Sequence, residues 1–312
     1  SSNLHIVDCA TDPKNPRLHK VIEGAEIKNK TNLSAPHTVH CLGSDIIISM
    51  LGDAKGEAPG GFLHLNEDFE IVGRWENNLG GMKFNYDFWY QPRHNVMVSS
   101  EWAAPNTFMP GFDLEEVGHL KYGREIHFWN FAEKRVENTV YLGEDGLVPL
   151  EVRFHHNPDS SHGFVGAALS SNIIHWFKKN GEWITEKIID VENQRHPEWP
   201  IPVPGLISVI LLSMDDRFLY LSNWLHGDLR QYDITDPSNP KLTGQDARLL
   251  ERTLRDYRRA GMGLAAEKRK ELKTLQIELS KKAIDFESTI RADETRVPLT
   301  KAELKGMPAQ WL

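Results

Sequence analysis

Up to residue 245 apolar and polar positions alternate in short runs, and beyond it the apolar positions recur every three or four residues. The first pattern sends alternate side chains to opposite faces of a strand; the second stacks them along one face of a helix. Four groups of runs carry the strand pattern. His37–Leu42, Ile46–Leu51, Phe62–Leu65 and Ile71–Trp75 form one, and Asp87–Tyr90, Val96–Glu101, Ile126–Phe131 and Thr139–Leu142 the next. Leu150–His155, Phe164–Leu169, Ile173–Phe177 and Ile184–Val191 form the third; Ile207–Ser213, Phe218–Asn223, Leu229–Asp233 and Lys241–Gly244 form the fourth. The groups start 50, 63 and about 57 residues apart. Their runs are rich in Val, Ile, Phe, Tyr and Trp and end in turn-forming pairs such as Asn-Pro and Asn-Gly.

Four strands per unit, repeated, predict a β-propeller. A repeated turn supports that reading. Thr11-Asp12-Pro13-Lys14-Asn15-Pro16 near the start matches Thr235-Asp236-Pro237-Ser238-Asn239-Pro240 near the end of this part, each between two strands. Proline fixes φ and Asp and Asn accept local hydrogen bonds, so both are tight turns. Residues 4–23 then read as the outer hairpin of a further blade. The predicted fold is mainly β: about four to five blades of a propeller, followed by an α-helical hairpin. Because a propeller removes its open edges by closing a ring, the count reads as part of a larger, truncated ring.

The helical pattern covers two runs. Leu249–Arg259 places Leu250, Leu254 and Tyr257 on one side and ends at Gly261 and Gly263. Ala265–Ile290 spaces Leu272, Leu275, Leu279, Ala283 and Phe286 by three or four. A short glycine-containing turn between them makes an αα-hairpin. Thr300-Lys301-Ala302-Glu303 is a capping-box pattern for a further short helix. Composition changes at the same place. Residues 1–245 hold all 14 histidines and 26 of 29 aromatic residues, with 21 Lys/Arg against 33 Asp/Glu. Residues 246–312 hold no histidine, three aromatic residues, and 15 Lys/Arg against 11 Asp/Glu. Two domains are therefore expected, 1–245 and 246–312.

A net charge of −8 gives no general pull toward nucleic acid. The basic character after 246 is interleaved with Glu267, Glu271, Glu278, Asp285 and Glu287, as on a solvated helix face. No apolar run approaches the roughly 20 residues of a membrane span. The chain opens Ser-Ser-Asn without a secretory apolar segment and reads as a fragment. Cys9 and Cys41 have no CxxC spacing, which points to a reducing, intracellular setting.

His37-Thr38-Val39-His40-Cys41 is the densest candidate site. In a regular strand His37 and His40 face opposite ways, so both could reach one metal only through a bulge or from a strand end. Imidazoles suit copper or zinc. The other reading is one buried, hydrogen-bonded histidine and one turn histidine. Asp87–Asn95 could line a pocket, or pack its aromatics between blades with a turn at Pro92–Asn95. His155-His156-Asn157-Pro158 reads as a strand end and turn. In Asn223–Asp228, Asp228 could pair with Arg230, and the loop could bind a ligand. This part has no serine nucleophile elbow, no HExxH and no glycine-rich phosphate loop.

The strings Pro-His-Thr-Val-His-Cys (36–41), Ser-Met-Leu-Gly-Asp-Ala-Lys-Gly (49–56), Tyr-Asp-Phe-Trp-Tyr-Gln-Pro-Arg-His-Asn-Val-Met (86–97), Ser-Glu-Trp-Ala-Ala-Pro-Asn (100–106) and Leu-Ser-Asn-Trp-Leu-His-Gly-Asp-Leu-Arg-Gln-Tyr-Asp (221–233) resemble the selenium-binding protein family, also known as methanethiol oxidases. The resemblance covers essentially all of 1–245. It implies a cytoplasmic, seven-bladed propeller that oxidises methanethiol, a small sulfur-containing substrate, to formaldehyde, hydrogen peroxide and hydrogen sulfide, with copper as the metal. Its His-Thr-x-His metal motif maps onto His37 and His40, with His40 the stronger of the two. The family's His-His motif and its selenium-associated cysteine pair have no counterpart here, nor does a further His-Glu motif of its later blades. A metal site needs most of its ligands and their supports, so the expectation is impaired oxidase activity.

Leu249–Leu264 and Asp293–Pro308 resemble the helical amino-terminal region of thimet-oligopeptidase-like zinc metallopeptidases. Those enzymes hold zinc through an HExxH helix, which this chain lacks, so no peptide cleavage is expected. The whole then reads as a fusion of a selenium-binding-like propeller with a peptidase-like helical piece. The alternative is a non-catalytic binding or scaffold protein.

Overall fold

Short alternating runs cannot bury their apolar side alone, and here they pair into sheets. The computed structural model describes residues 3–195, 202–246 and 264–292. By its contacts the chain divides into two units, Ser1–Glu251 and Arg252–Leu312.

The first unit opens with a two-stranded sheet of β1 (Leu4–Asp8) and β2 (Arg17–Ile22). A helix, α1 (Gly24–Thr31), leads into the first four-stranded sheet: β3 (Leu33–Leu42), β4 (Asp45–Asp53), β5 (Gly61–Leu65) and β6 (Ile71–Arg74). The second holds β7 (Phe88–Gln91), β8 (Val96–Ser100), β9 (Glu125–Asn130) and β10 (Arg135–Tyr141), with two short helices, α2 (Pro105–Phe108) and α3 (Leu114–Gly118), between β8 and β9. The third holds β11 (Pro149–Phe154), β12 (Gly163–Ala167), β13 (Asn172–Lys179) and β14 (Glu182–Asp190). The fourth holds β15 (Ile207–Leu212), β16 (Phe218–Asn223), β17 (Asp228–Asp233) and β18 (Lys241–Asp246). Each is an antiparallel meander in chain order. These are four propeller-like blades preceded by a hairpin, as the run lengths predict.

The repeated turns are built alike. Asp8 Oδ1 accepts from Thr11 N–H and Asp12 Oδ1 from Lys14 N–H; Asp233 Oδ1 accepts from Thr235 N–H and Asp236 Oδ1 from Ser238 N–H. The two expected cysteines are free and exposed.

Four apolar seams hold the sheets face to face. Ile22, Ile27, Leu33, Ile48, Met50 and Leu63 fill the first, between the β1–β2 hairpin with α1 and the first sheet. Ile47, Phe62, Trp75, Phe88, Met97 and Trp129 fill the second, where Phe62 meets Phe88 edge-on with ring centres 5.1 Å apart. Val98, Phe128, Val152, Phe154 and Trp176 fill the third, and Phe164, Ile173, Ile189, Ile210, Leu221 and Tyr232 the fourth. Each fully buried side chain of this size is worth about 1.5–3 kcal/mol. The far face of the fourth sheet is open: Val209, Leu211, Tyr220 and Leu229 are exposed there.

In the second unit α4 runs from Ala266 to Ala292. It matches the longer of the two predicted helices, and Leu275, Leu279 and Phe286 of its apolar stripe are exposed. The first arm of the predicted hairpin, its glycine turn and the capping-box helix lie outside the described residues. Among the described residues no helix is long and apolar enough to cross a membrane.

Candidate functional site on the first strands of the sheets

Three of the four sheets begin in the same strained way. Ala35, Val148 and Leu206 have φ of 57°, 58° and 54°, a left-handed conformation that a β-branched or bulky residue adopts only at a cost. Directly after each, the first strand carries one extra residue against the second. The register slips between Pro36 and Val39, between Pro149 and Val152, and between Ile207 and Val209. Such bulges re-aim side chains at sheet edges and near sites. The residues they hold include His37 and Thr38, Glu151, and Ser208. Past the β3 bulge the alternation continues, with His37 exposed and His40 half-buried.

Asp87, just before β7 and 2% exposed, ties three first strands together. It accepts from the Thr38 hydroxyl at 2.8 Å, from Val152 N–H at 3.0 Å and from Arg153 Nη1 at 2.6 Å. Arg153 also pairs with Glu151 and lies 5.0 Å above the Trp89 ring. Thr38 N–H donates to Ser49 Oγ, which donates on to the Tyr86 carbonyl. Since Thr38 gives its proton to Asp87, its oxygen accepts from His37 Nδ1, 2.9 Å away. A neutral His37 then carries its lone pair on Nε2.

His37 is exposed but packs on Tyr86, ring centres 3.9 Å apart. His40 is half-buried among Phe88, Trp89 and Tyr90, at 4.8, 4.8 and 5.6 Å. Desolvation by these neighbours lowers both histidine pKa values against the pull of Asp87, and Arg153 lowers that of His40 further. Both are therefore neutral imidazoles at neutral pH, the form that ligates metals. Glu151 goes the other way. Burial and repulsion from Asp87 push its pKa to about 7 against the attraction of Arg153. Tyr86 is raised too, by burial and then by the charges of Glu151 and Asp87. Two neutral bases, one carboxyl that exchanges protons near neutrality and a fixed Asp–Arg pair thus share one cluster.

The other histidines of the sequence analysis fall in different places. His156 accompanies its backbone N–H onto Asp216, joining the third sheet to the fourth. His155 begins a row: its ring lies 5.6 Å from His162, which lies 5.0 Å from His175. His162 Nδ1 meets His175 Nε2 at 2.8 Å, and His175 Nδ1 meets Glu186 at 2.9 Å. Burial and then its histidine neighbours push the His155 pKa down to about 4, against the pull of Asp216. Asp228 pairs with Arg230 at 3.1 Å, as expected. His226, 4% exposed, donates through Nε2 to the Val203 carbonyl, and its buried Nδ1 has no partner among the described residues.

Sequence reasoning missed two clusters: Glu151 with Arg153, and Glu101 with Glu125 and His127. Both contain an i, i+2 polar pair within a strand, which was the available signal. Among the described residues, neither His37 nor His40 belongs to a group of three His, Cys, Asp or Glu ligand atoms close enough to hold one ion. The one group of three His, Cys, Asp or Glu ligand atoms within 4.8 Å of one another, among the described residues, is Glu101, Glu125 and His127 instead. The first-strand histidines alone do not make a closed copper site.

Residues 1–251 match the family profile described as 56kDa selenium binding protein. Over 249 residues, 78% of the chain, it is 53% identical to methanethiol oxidase of Xenopus laevis, covering 53% of that protein. It is 52% identical to methanethiol oxidase of Homo sapiens and 51% to selenium-binding protein 2 of Mus musculus, covering 52% of each. The chain spans about half the length of these curated relatives. A solved structure of a hypothetical selenium-binding protein from Sulfolobus tokodaii superposes with a TM-score of 0.76 at 40% identity, covering 79% of this chain and 57% of that one. A putative 6-phosphogluconolactonase from Bacteroides uniformis shares the fold at a TM-score of 0.51 and 13% identity, covering 78% of this chain and 64% of that one.

Proposed function

The chain belongs to the 56 kDa selenium-binding protein family, and from that premise we propose that its first-strand cluster is part of a site for a small thiol of the methanethiol class. The observation that carries the reading is the tie at Asp87, which fixes Thr38 and Arg153 beside His37, His40 and Glu151. In this cluster Arg153 and Asp87 hold the geometry. His37 and His40 offer neutral nitrogen donors, and Glu151, near half-ionised around pH 7, takes or returns the proton of a bound thiol. Selenium association and a cytoplasmic location follow the family resemblance.

Copper is the family's implied metal, and two imidazoles without a third ligand hold it weakly. The 312-residue chain should therefore oxidise methanethiol slowly or not at all. The check is a copper titration with an assay for hydrogen peroxide and hydrogen sulfide. Tight stoichiometric copper binding together with turnover would overturn the proposal of impaired activity. Binding of a small thiol without turnover, abolished in Arg153→Met, would support the cluster as a binding site. Thiol binding indifferent to Arg153→Met and His40→Ala would remove the site assignment altogether.

For 246–312 we infer a helical piece related to oligopeptidase amino-terminal regions and joined to the propeller as a fusion. The supporting residues are the Leu249–Leu264 and Asp293–Pro308 strings. A transcript that reads continuously through the codons for Gly244–Arg248 is the expected finding; two separate transcripts would refute the fusion.

A further inference from the structure

Glu125 and His127 lie two residues apart on β9 and so project from the same face. Glu101, immediately after β8, folds its carboxylate onto that face. Gly123 leaves the space: a Cβ there would stand 2.2 Å from Glu101 Cβ and 2.8 Å from its Oε2. One ligand atom from each of Glu101, Glu125 and His127 lies within 4.8 Å of the others. Glu101 is 2% and His127 0% exposed, whereas Glu125 is half-buried and opens the group toward solvent.

A fully buried carboxylate beside an imidazole costs free energy unless both are satisfied. Here Glu101 Oε1 accepts from Phe84 N–H at 3.2 Å and faces His127 Nε2 at 3.2 Å. On the far side of the ring, Thr139 Oγ1 stands 2.9 Å from Nδ1, placed there because Thr139 pairs with His127 across β10 and β9. A hydroxyl both donates and accepts. It can donate to Nδ1 while Nε2–H faces Glu101. It can equally accept from Nδ1–H once Nε2 turns its lone pair to a cation. The ring therefore changes tautomer without orphaning a buried nitrogen, and a hydrogen bond from the second ring nitrogen is what orients metal-bound histidines.

We propose that Glu101, Glu125 and His127 bind a divalent cation of the zinc, cobalt or manganese type. One imidazole with two carboxylates suits those ions rather than a thiolate-seeking one, and three protein ligands leave a position open to water. This site uses none of the first-strand residues.

The experiment is calorimetric titration of the metal-free 312-residue chain with Zn²⁺ and with Mn²⁺, with Co²⁺ absorption reporting ligand geometry. The expected result is one saturable equivalent. Glu125→Gln, at the open edge, should weaken binding at least about tenfold, and Thr139→Val should weaken it by about 10- to 100-fold. The double variant His37→Ala/His40→Ala should bind as the parent does. Absence of saturable binding in the parent overturns the proposal. So does binding unchanged in Glu125→Gln, or binding lost in the His37/His40 variant but kept in Glu125→Gln. His127→Gln serves as a further check where circular dichroism matches the parent.

Discussion

Glu151 and His155 are four residues apart and respond to acid in opposite senses. Glu151 keeps its proton in the folded chain up to about pH 7, above its ordinary 4.5. Between those values the folded state binds more protons than the unfolded one, so this residue's contribution to stability falls as pH rises. His155 titrates near 4, below its ordinary 6.5, so its contribution rises with pH across that window. Glu151→Gln keeps an acceptor for Arg153 but removes the first effect. The variant should gain stability relative to the parent as pH increases from about 5 to about 8, measured by urea unfolding at each pH. A constant difference would show that Glu151 is not held protonated. At this scale the sequence was partly legible. His37 and His40 stood out as a spaced pair, yet the neighbour they share, Asp87, comes from the next sheet, which no spacing within the motif announces. Glu101 and His127 are brought together only by the pairing of β8 with β9, a contact invisible to spacing.

The strands were the most legible elements because their alternation is the physical reason they pair. The short helices were not. The α1 segment begins at Glu23 without a side-chain cap and anchors itself by Ile27 and Thr31, too few positions to set a period. In α2 the start is Pro105 and the whole helix is four residues long, which reads as a loop. Glycine inside a strand proved informative in a different way. Gly163 on β12 pairs with Trp176 on β13, and a Cβ there would stand 2.3 Å from Trp176 Cζ2. Trp176 is 0% exposed in the third seam and cannot move without displacing Phe154 and Phe128. Gly163→Ala should therefore destabilise the first unit by about 1–3 kcal/mol, as overpacking of a filled core does. A shift in the denaturation midpoint measures this; an unchanged midpoint would mean that the indole has room to yield.

At the scale of the whole first unit, sheets two and three are covered on both faces and the fourth on one. The open face, with Val209, Leu211 and Leu229 exposed, is the kind of surface that promotes aggregation. Local opening should follow the same order. Hydrogen exchange is expected to be slowest in β8 and β9 and faster in β16 and β17, although all four strands sit inside their own sheets. Equal protection across these pairs would contradict the ranking. Where each layer touches only the layers beside it, stability behaves as a sum over layers and junctions, as in a one-dimensional array. Four seams in series then give the unit a spectrum of local melting points rather than one. A substitution in the second seam and one in the fourth should act almost independently, because the sheets between them absorb the disturbance.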